Sequence, residues 1–290
     1  MASEADSTKR PIRTSVWLEG KPAARGRRSE RADPVSDQSR PDSRTQPDSQ
    51  PPSQPQSPSQ PQPHSTGGLD RDRITAVSVR MLDTEGPAKF SMRRLAAELG
   101  VTAMSLYWYV DTKDDLLELA LDAVFGEVRI PDLTDEHADW RDQLRDLAVS
   151  YRTVLVRHSW VSPLVGKYLN IGPHSMAFSA AVQAVMARTG LQRQDQMGGL
   201  AAVFQFAYGF GTIEGHYVQR CTDAGLSQDE YFQHAMGTLT EQPEFQKSFE
   251  NAGELMAARG GDTVADMRDR DFTFALELLI AGIEAMRART

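Results

Sequence analysis

The sequence predicts an all-α protein: a small amino-terminal three-helix unit followed by a larger carboxyl-terminal helical bundle. Three observations carry this. From Leu69 onward, apolar residues recur at steps of three and four. Helix-start residues and glycine or proline stops divide that pattern into helical lengths. The alternating Val, Ile and Thr clusters that strands need are missing, and no internal repeat is evident.

The 290 residues, 40% hydrophobic and 25% charged, suffice for one or two domains with a sizeable core. No apolar run approaches the ~18 residues of a membrane span, so no membrane contact is expected. The single cysteine, Cys221, excludes an intramolecular disulfide framework and any CxxC motif, which fits a reducing, cytoplasmic setting. The longest apolar stretch near the start, Val16 to Leu18, is far short of the ~7–15-residue core of a signal peptide. The net charge of −8 is uneven, summing to +2 over 1–69, 0 over 70–114 and −10 over 115–290. Only the local field within a Debye length of roughly 8 Å matters to a charged partner, so the acidic third part does not veto a nucleic-acid partner for the second.

Residues 1–69 are expected to be a disordered tail. Positions 41–63 hold 8 Pro, 6 Gln and 5 Ser and no aliphatic or aromatic side chain, so nothing there offsets the entropy of ordering. Positions 9–31 carry eight basic residues, including Arg25, Arg27 and Arg28. Three readings stay open for this run: an arm that follows a DNA minor groove, a solvated low-complexity leader, or residues upstream of the true start.

The three-helix unit is expected over 70–116 and the bundle over 117–290. A first helix places Ile74, Val77, Met81 and Leu82 on one face, with Asp70 or Asp72 near its start and Gly86 and Pro87 after its end. Ser91 can cap a second helix facing inward with Leu95, Ala96 and Leu99, and Gly100 supplies a left-handed stop. Thr102 can cap a third of about two turns, with Leu106 and Val110 inward. Two short helices across a tight glycine turn form a helix-turn-helix. Thr112 and Asp115 have capping-box spacing and open a fourth helix. Later helices are expected from Trp140 past Leu155 and over 175–189, 194–220, 227–238 and about 270–288.

A helix-turn-helix sends its second helix into the DNA major groove, with small or polar residues outward at its start. Ala103, Met104 and Ser105 meet that need. Tyr107, Trp108 and Tyr109 spread over roughly 200° of helix surface at ~100° per residue, so they cannot all be buried, although any one of them can be core. Arg93, Arg94 and Lys113 follow helix starts, where backbone N–H groups favour anions; each is otherwise an ordinary solvated charge.

The order Leu95-Ala96, Leu99-Gly100-Val101, Leu106-Tyr107, Val110, Lys113 and Leu116-Leu117 resembles the signature of the tetracycline-repressor (TetR) family of bacterial one-component regulators. A weaker likeness to the family's namesake runs on through Trp140, Leu144 and Tyr151. The resemblance implies a TetR-like fold and a homodimer that binds a palindromic double-stranded DNA operator. It also implies a carboxyl-terminal domain that dimerises and encloses a pocket for a small-molecule effector, so that the chain acts as a repressor released by that effector. The family's DNA contacts fall on Arg93, Ser105, Tyr107, Trp108, Tyr109 and Lys113, with Arg94, Ala103 and Met104 beside them. Ala103 and Tyr109 replace a glutamine and a histidine of the namesake, which implies a different operator. The namesake's histidine and asparagine that help hold magnesium-bound tetracycline fall near Val165 and on Leu147, so tetracycline is not supported as effector.

The candidate pocket residues are Tyr151, His158, Trp160, Tyr168, Phe178, Phe204 and Tyr208, aromatic or polar groups suited to a mostly apolar cavity. Helical spacing predicts buried aromatics there with or without a ligand. Gly209, Gly211 and Gly215 either permit close helix approach at a dimer seam or loosen their helix. An enzyme is not expected: Glu214 and His216 are two apart, unlike the i, i+4 pair of a zinc helix, and nucleophile, phosphate-loop and dinucleotide fingerprints are absent. No cofactor or metal is implied. A DNA-binding activator or architectural protein without effector is the alternative, to be favoured if the bundle is solid.

Overall fold

The computed structural model describes residues 14–19, 69–242, 244 and 258–289; the basic run at 25–28 and the proline-rich stretch lie outside them. Among the described residues all regular structure is helical. Within the stretch expected to be disordered, residues 14–19 are seated on the protein, with one helical turn, α1 (Val16–Glu19), and with Ser15 and Val16 buried.

The amino-terminal unit comprises α2 (Arg71–Lys89), α3 (Met92–Leu99) and α4 (Ala103–Leu106). Asp70 caps α2 by accepting from Arg73 N–H, and the helix breaks at Gly86, whose φ of 73° only glycine adopts at little cost. Ser91 caps α3 through Arg94 N–H. Gly100, at φ 69°, ends it by donating to the Ala96 and Ala97 carbonyls. Ile74, Leu82, Leu95, Leu106 and Val110 close the core of this unit.

The third helix departs from its expected length. Only Ala103–Leu106 are α-helical. Tyr107, Trp108 and Tyr109 then donate to carbonyls three residues back, so the chain tightens into turns. Such turns bury Val110 while leaving two of the three consecutive rings outside, which a straight helix of two turns would do less economically.

α5 (Lys113–Phe125) opens with the expected Thr112/Asp115 capping box and is buried on almost every side. It lies between the head and the bundle, so even Asp115, Glu118 and Asp122 leave solvent. Asp122 accepts from the His174 and Ser175 N–H groups, placing a carboxylate at the start of α8, where the helix dipole favours it. The bundle adds α6 (Trp140–Arg157), α7 (Ser162–Val165), α8 (Pro173–Arg188), α9 (Arg193–Ala224), α10 (Gln228–Thr240) and α11 (Val264–Arg287). α11 starts about two turns earlier than periodicity alone indicates, at a Thr263/Asp266 capping box. α6 packs along α9, where Gly211 and Gly215 let α9 approach the Leu155 backbone and side chain. These two glycines therefore serve a contact within one chain.

Candidate DNA-reading head and effector cleft

Around the helix-turn-helix, burial divides the residues cleanly. Leu106 and Val110 are sealed, whereas Met104, Tyr107 and Trp108 are 70%, 41% and 75% exposed. The outward group forms an apolar wedge at the start of α4 and just beyond it. Ala103 and Ser105 sit half-buried beside it, and the Ser105 hydroxyl lies 2.9 Å from Thr102 Oγ1. Arg93 projects into solvent at the start of α3. Lys113 reaches back so that its ammonium donates to the Pro87 carbonyl at 3.2 Å and stands over the Phe90 ring. An ammonium has three donors, so this anchor aims the group and leaves donors for an anion.

Two of the residues placed here by sequence are engaged within the head, Tyr109 half-buried and Arg94 on the surface. Tyr109 donates its hydroxyl to the Leu69 carbonyl at 2.6 Å, and its own carbonyl accepts from Arg71; the side chain fastens the start of α2. Arg94 is bound to Glu85, 2.6 Å away, and also donates to the Lys89 carbonyl. It closes the Gly86 break. Sequence spacing fixed neither partner, because both lie across a turn whose path the local pattern does not encode.

In the bundle, a cleft of about 310 Å³ opens between α5, α6, α8 and α9, lined by Phe125, Tyr151, Phe178 and Phe204 with Val165, Leu169, Asn170, Ser175, Ser179, Val182 and Leu200. The four rings pack at centroid distances of 5.2–6.2 Å, from stacked for Phe125 and Tyr151 to edge-on for Phe178 and Phe204. Among the described residues no charged side chain lines it. Burial drives the Tyr151 hydroxyl well above its usual range, so it stays a neutral donor. The polar end is set by Asn170, which has φ 52° and whose amide nitrogen donates to the Val165 and Tyr168 carbonyls at 2.7 and 3.0 Å. That fixes the amide so that Oδ1 is buried with no hydrogen-bond partner among the described residues, as is the hydroxyl of Ser175. A buried acceptor left unmet costs about 1–3 kcal/mol, and a ligand hydroxyl would satisfy it.

Three of the seven pocket candidates, Tyr151, Phe178 and Phe204, thus meet at the cleft. The other four lie elsewhere. Tyr208 donates to the Ser162 carbonyl at 2.8 Å. Tyr168 donates to Asp114 at 2.8 Å, beside Lys167, tying the loop before α8 to the start of α5. His158 and Trp160 form a junction with the head: His158 Nδ1 and Trp160 Nε1 both stand 2.6 Å from Asp83 Oδ1 on α2. Glu127 lies 3.2 Å from the other imidazole nitrogen and also meets Arg157. Burial opposes charge on His158, yet the Asp83 and Glu127 carboxylates outweigh it and hold its pKa above the ordinary value. Asn170 and Ser175 carried no sequence signal, since an unmet acceptor exists only once the fold has placed its surroundings.

Comparison with known proteins finds two family models along the chain. Residues 74–120 match the family of bacterial regulatory proteins, tetR family, and residues 131–287 match the tetracyclin repressor-like carboxyl-terminal domain. A transcriptional regulator of the helix-turn-helix type from Saccharopolyspora erythraea is 35% identical over 75% of this chain and 85% of its own length. The transcriptional repressor DrrR1 of Streptomyces coeruleorubidus is 28% identical over 76% and 79%. Among solved structures, ActR of Streptomyces coelicolor in complex with actinorhodin is 28% identical with a TM-score of 0.58, covering 76% of this chain and 98% of ActR.

Proposed function

Since the chain belongs to the tetR family of bacterial regulatory proteins, we propose that it binds a palindromic operator as a homodimer, represses transcription there, and is released by a small molecule held in the Phe125–Phe204 cleft. The observation that carries the DNA-binding half is the exposed wedge of Met104, Tyr107 and Trp108. Large apolar side chains clustered outside a core mark an interaction surface. With Ser105, Ala103, Arg93 and Lys113 around them, they suit base edges and thymine methyls at the centre and phosphates at the rim. Arg94 and Tyr109 act by holding the head's shape.

The dimer half rests on α9 and α11. Ile213 and Phe274 are 69% and 67% exposed, and Met197, Leu278 and Met286 are exposed with them. On the same two helices, Leu278 and Met286 line a groove of about 440 Å³ together with Leu191, Gly198, Ala202, Leu279 and Ile283. A second copy that supplies the same two helices would cover this face in an isologous contact.

The effector half rests on the cleft, whose size falls at the lower end of the ~300–1,000 Å³ typical of ligand sites. Rings without charge suit a flat, neutral aromatic molecule that offers a hydroxyl to Asn170 Oδ1. ActR, which shares the fold, has been solved in complex with actinorhodin, and that supports a small-molecule effector for this chain. A cleft of this size also favours an effector-responsive protein over the effector-independent alternative. The deciding experiment uses a duplex that the protein itself selects from random-sequence DNA. Tyr107→Ala and Lys113→Ala are expected to weaken binding, and the lysine change to lower the dependence of log K on log salt by about 1.8, which is about 0.9 for each of the two protomers. Unchanged binding in both variants would refute the assignment of the head.

A further inference from the structure

Residues 14–19 are read from sequence as part of a solvated tail, yet they occupy a specific place. Ser15 Oγ donates to Glu118 Oε2 at 2.5 Å, and the Val16 N–H donates to the same oxygen at 3.3 Å. Thr14 N–H and Trp17 N–H close the turn on Glu19 and on the Ser15 hydroxyl. Val16 is 4% exposed among the core side chains. Trp17 lies where three bodies meet. On one side it borders a space shared with Arg71, Thr75 and Ala76 of α2, Leu119 and Ala123 of α5, and Pro173 and His174 of α8. On the other it closes a void of about 10 Å³, near the volume that admits one water, whose wall includes Asn170 and Ser175. Those two residues also form the polar end of the effector cleft.

We propose that residues 14–19 are an intramolecular strap: they dock in the groove between α2, α5 and the start of α8, pin the head to the effector domain, and so set the pose in which the head meets DNA. The strap is held by a buried valine, a half-buried indole and two hydrogen bonds to one carboxylate. It is not held by charge, since the only ionisable side chain among these six residues is Glu19. The segment therefore acts on the head's position and contributes no phosphate contact. Burial pushes the Glu118 carboxyl up against the pull of Ser15 and Val16, in keeping with a group that leaves water when the strap is seated. Because the void behind Trp17 and the cleft share Asn170 and Ser175, an effector that engages that pair also bears on the strap. The role in DNA binding rests on the reading of the head given above; the docking does not.

Both parts are testable in the full chain carrying 5-fluorotryptophan, with the Trp17 signal assigned by its loss in Trp17→Phe. In the wild type this signal is expected to be shifted and protected from a soluble paramagnetic agent, while exposed Trp108 serves as the accessible reference. Val16→Asn, which removes the buried anchor without changing charge, should move the Trp17 signal to the free-indole position and lower affinity for the selected duplex about fivefold or more, with the salt slope unchanged. Trp17→Ala should give the same loss. A wild-type Trp17 signal as accessible as that of Trp108 would overturn the docking. Undocking without any loss of affinity would overturn the coupling, and a salt slope lowered by about 1.8, one phosphate contact for each protomer, would replace the strap by a DNA-contacting arm. Should the wild type bind no duplex, the head's assignment fails, and the fluorine signal still decides whether the strap is seated.

Discussion

Gly215→Ala gives a measurement of how closely α6 and α9 approach. A Cβ at position 215 would stand 2.7 Å from the Leu155 carbonyl oxygen and 3.3 Å from Val156 Cα, both backbone atoms of α6. The substitution removes a helix-interior glycine, worth about 1 kcal/mol in favour of alanine. Against that, a rigid helix must shift by several tenths of an ångström, and overpacking of this kind costs about 1–3 kcal/mol, sometimes more. The net expectation is a loss of up to about 2 kcal/mol. At 2–4 °C per kcal/mol for a domain of this size, the midpoint should fall by up to about 8 °C. Gly237→Ala on α10 is the control: it carries the same propensity gain, and among the described residues nothing lies within 4 Å of the added carbon, so its midpoint should rise by about 2–4 °C. Thermal melts at one fixed protein concentration, which holds any dimer contribution constant, compare the two directly. If Gly215→Ala gains as much as Gly237→Ala, the helices do not touch there, and the account of the α6–α9 wall beside the cleft is wrong.

Further expectations concern charge and assembly. Arg152 and Glu214 are paired at 2.7 Å with about a tenth of each side chain exposed, and the guanidinium also lies over the Phe210 and Phe272 rings. Arg152→Ala should cost about 3–5 kcal/mol by stranding the carboxylate, and a urea midpoint near the wild-type value would contradict this. His158 has its folded pKa raised by Asp83 and Glu127; the stability it lends is therefore complete below the unfolded value near 6.5 and is lost as pH rises through the folded one. Urea titrations of wild type and His158→Gln should differ most at low pH and converge as pH climbs, and a gap independent of pH would count against the junction. Finally, Ile213→Asp and Phe274→Asp should each shift the protein toward monomer in sedimentation experiments, whereas an undisturbed dimer would place the seam on another face.

Much of this molecule is legible as a string of residues. The caps at Ser91, Thr102, Thr112 and Ser227, the stop at Gly100 and the apolar faces of α2, α3, α5 and α6 are local devices, in which a residue serves a backbone group within about four positions. Local devices survive in a one-dimensional reading, and they are enough to fix the class of fold and the outward wedge of the head.

Only the tertiary structure decided which groups meet across long intervals. Asp83 lies 75 residues from its imidazole partner, and Ser15 lies 103 residues from Glu118. It also decided that His158, Trp160, Tyr168 and Tyr208 spend their polar atoms on internal partners while Tyr151, Phe178 and Phe204 share a cleft. An aromatic side chain at helical spacing is apolar filling in either case. Whether it borders open space, core or a neighbouring domain depends on how helices cross, and crossing is set by contacts such as Gly215 on Leu155 that no short stretch of chain contains.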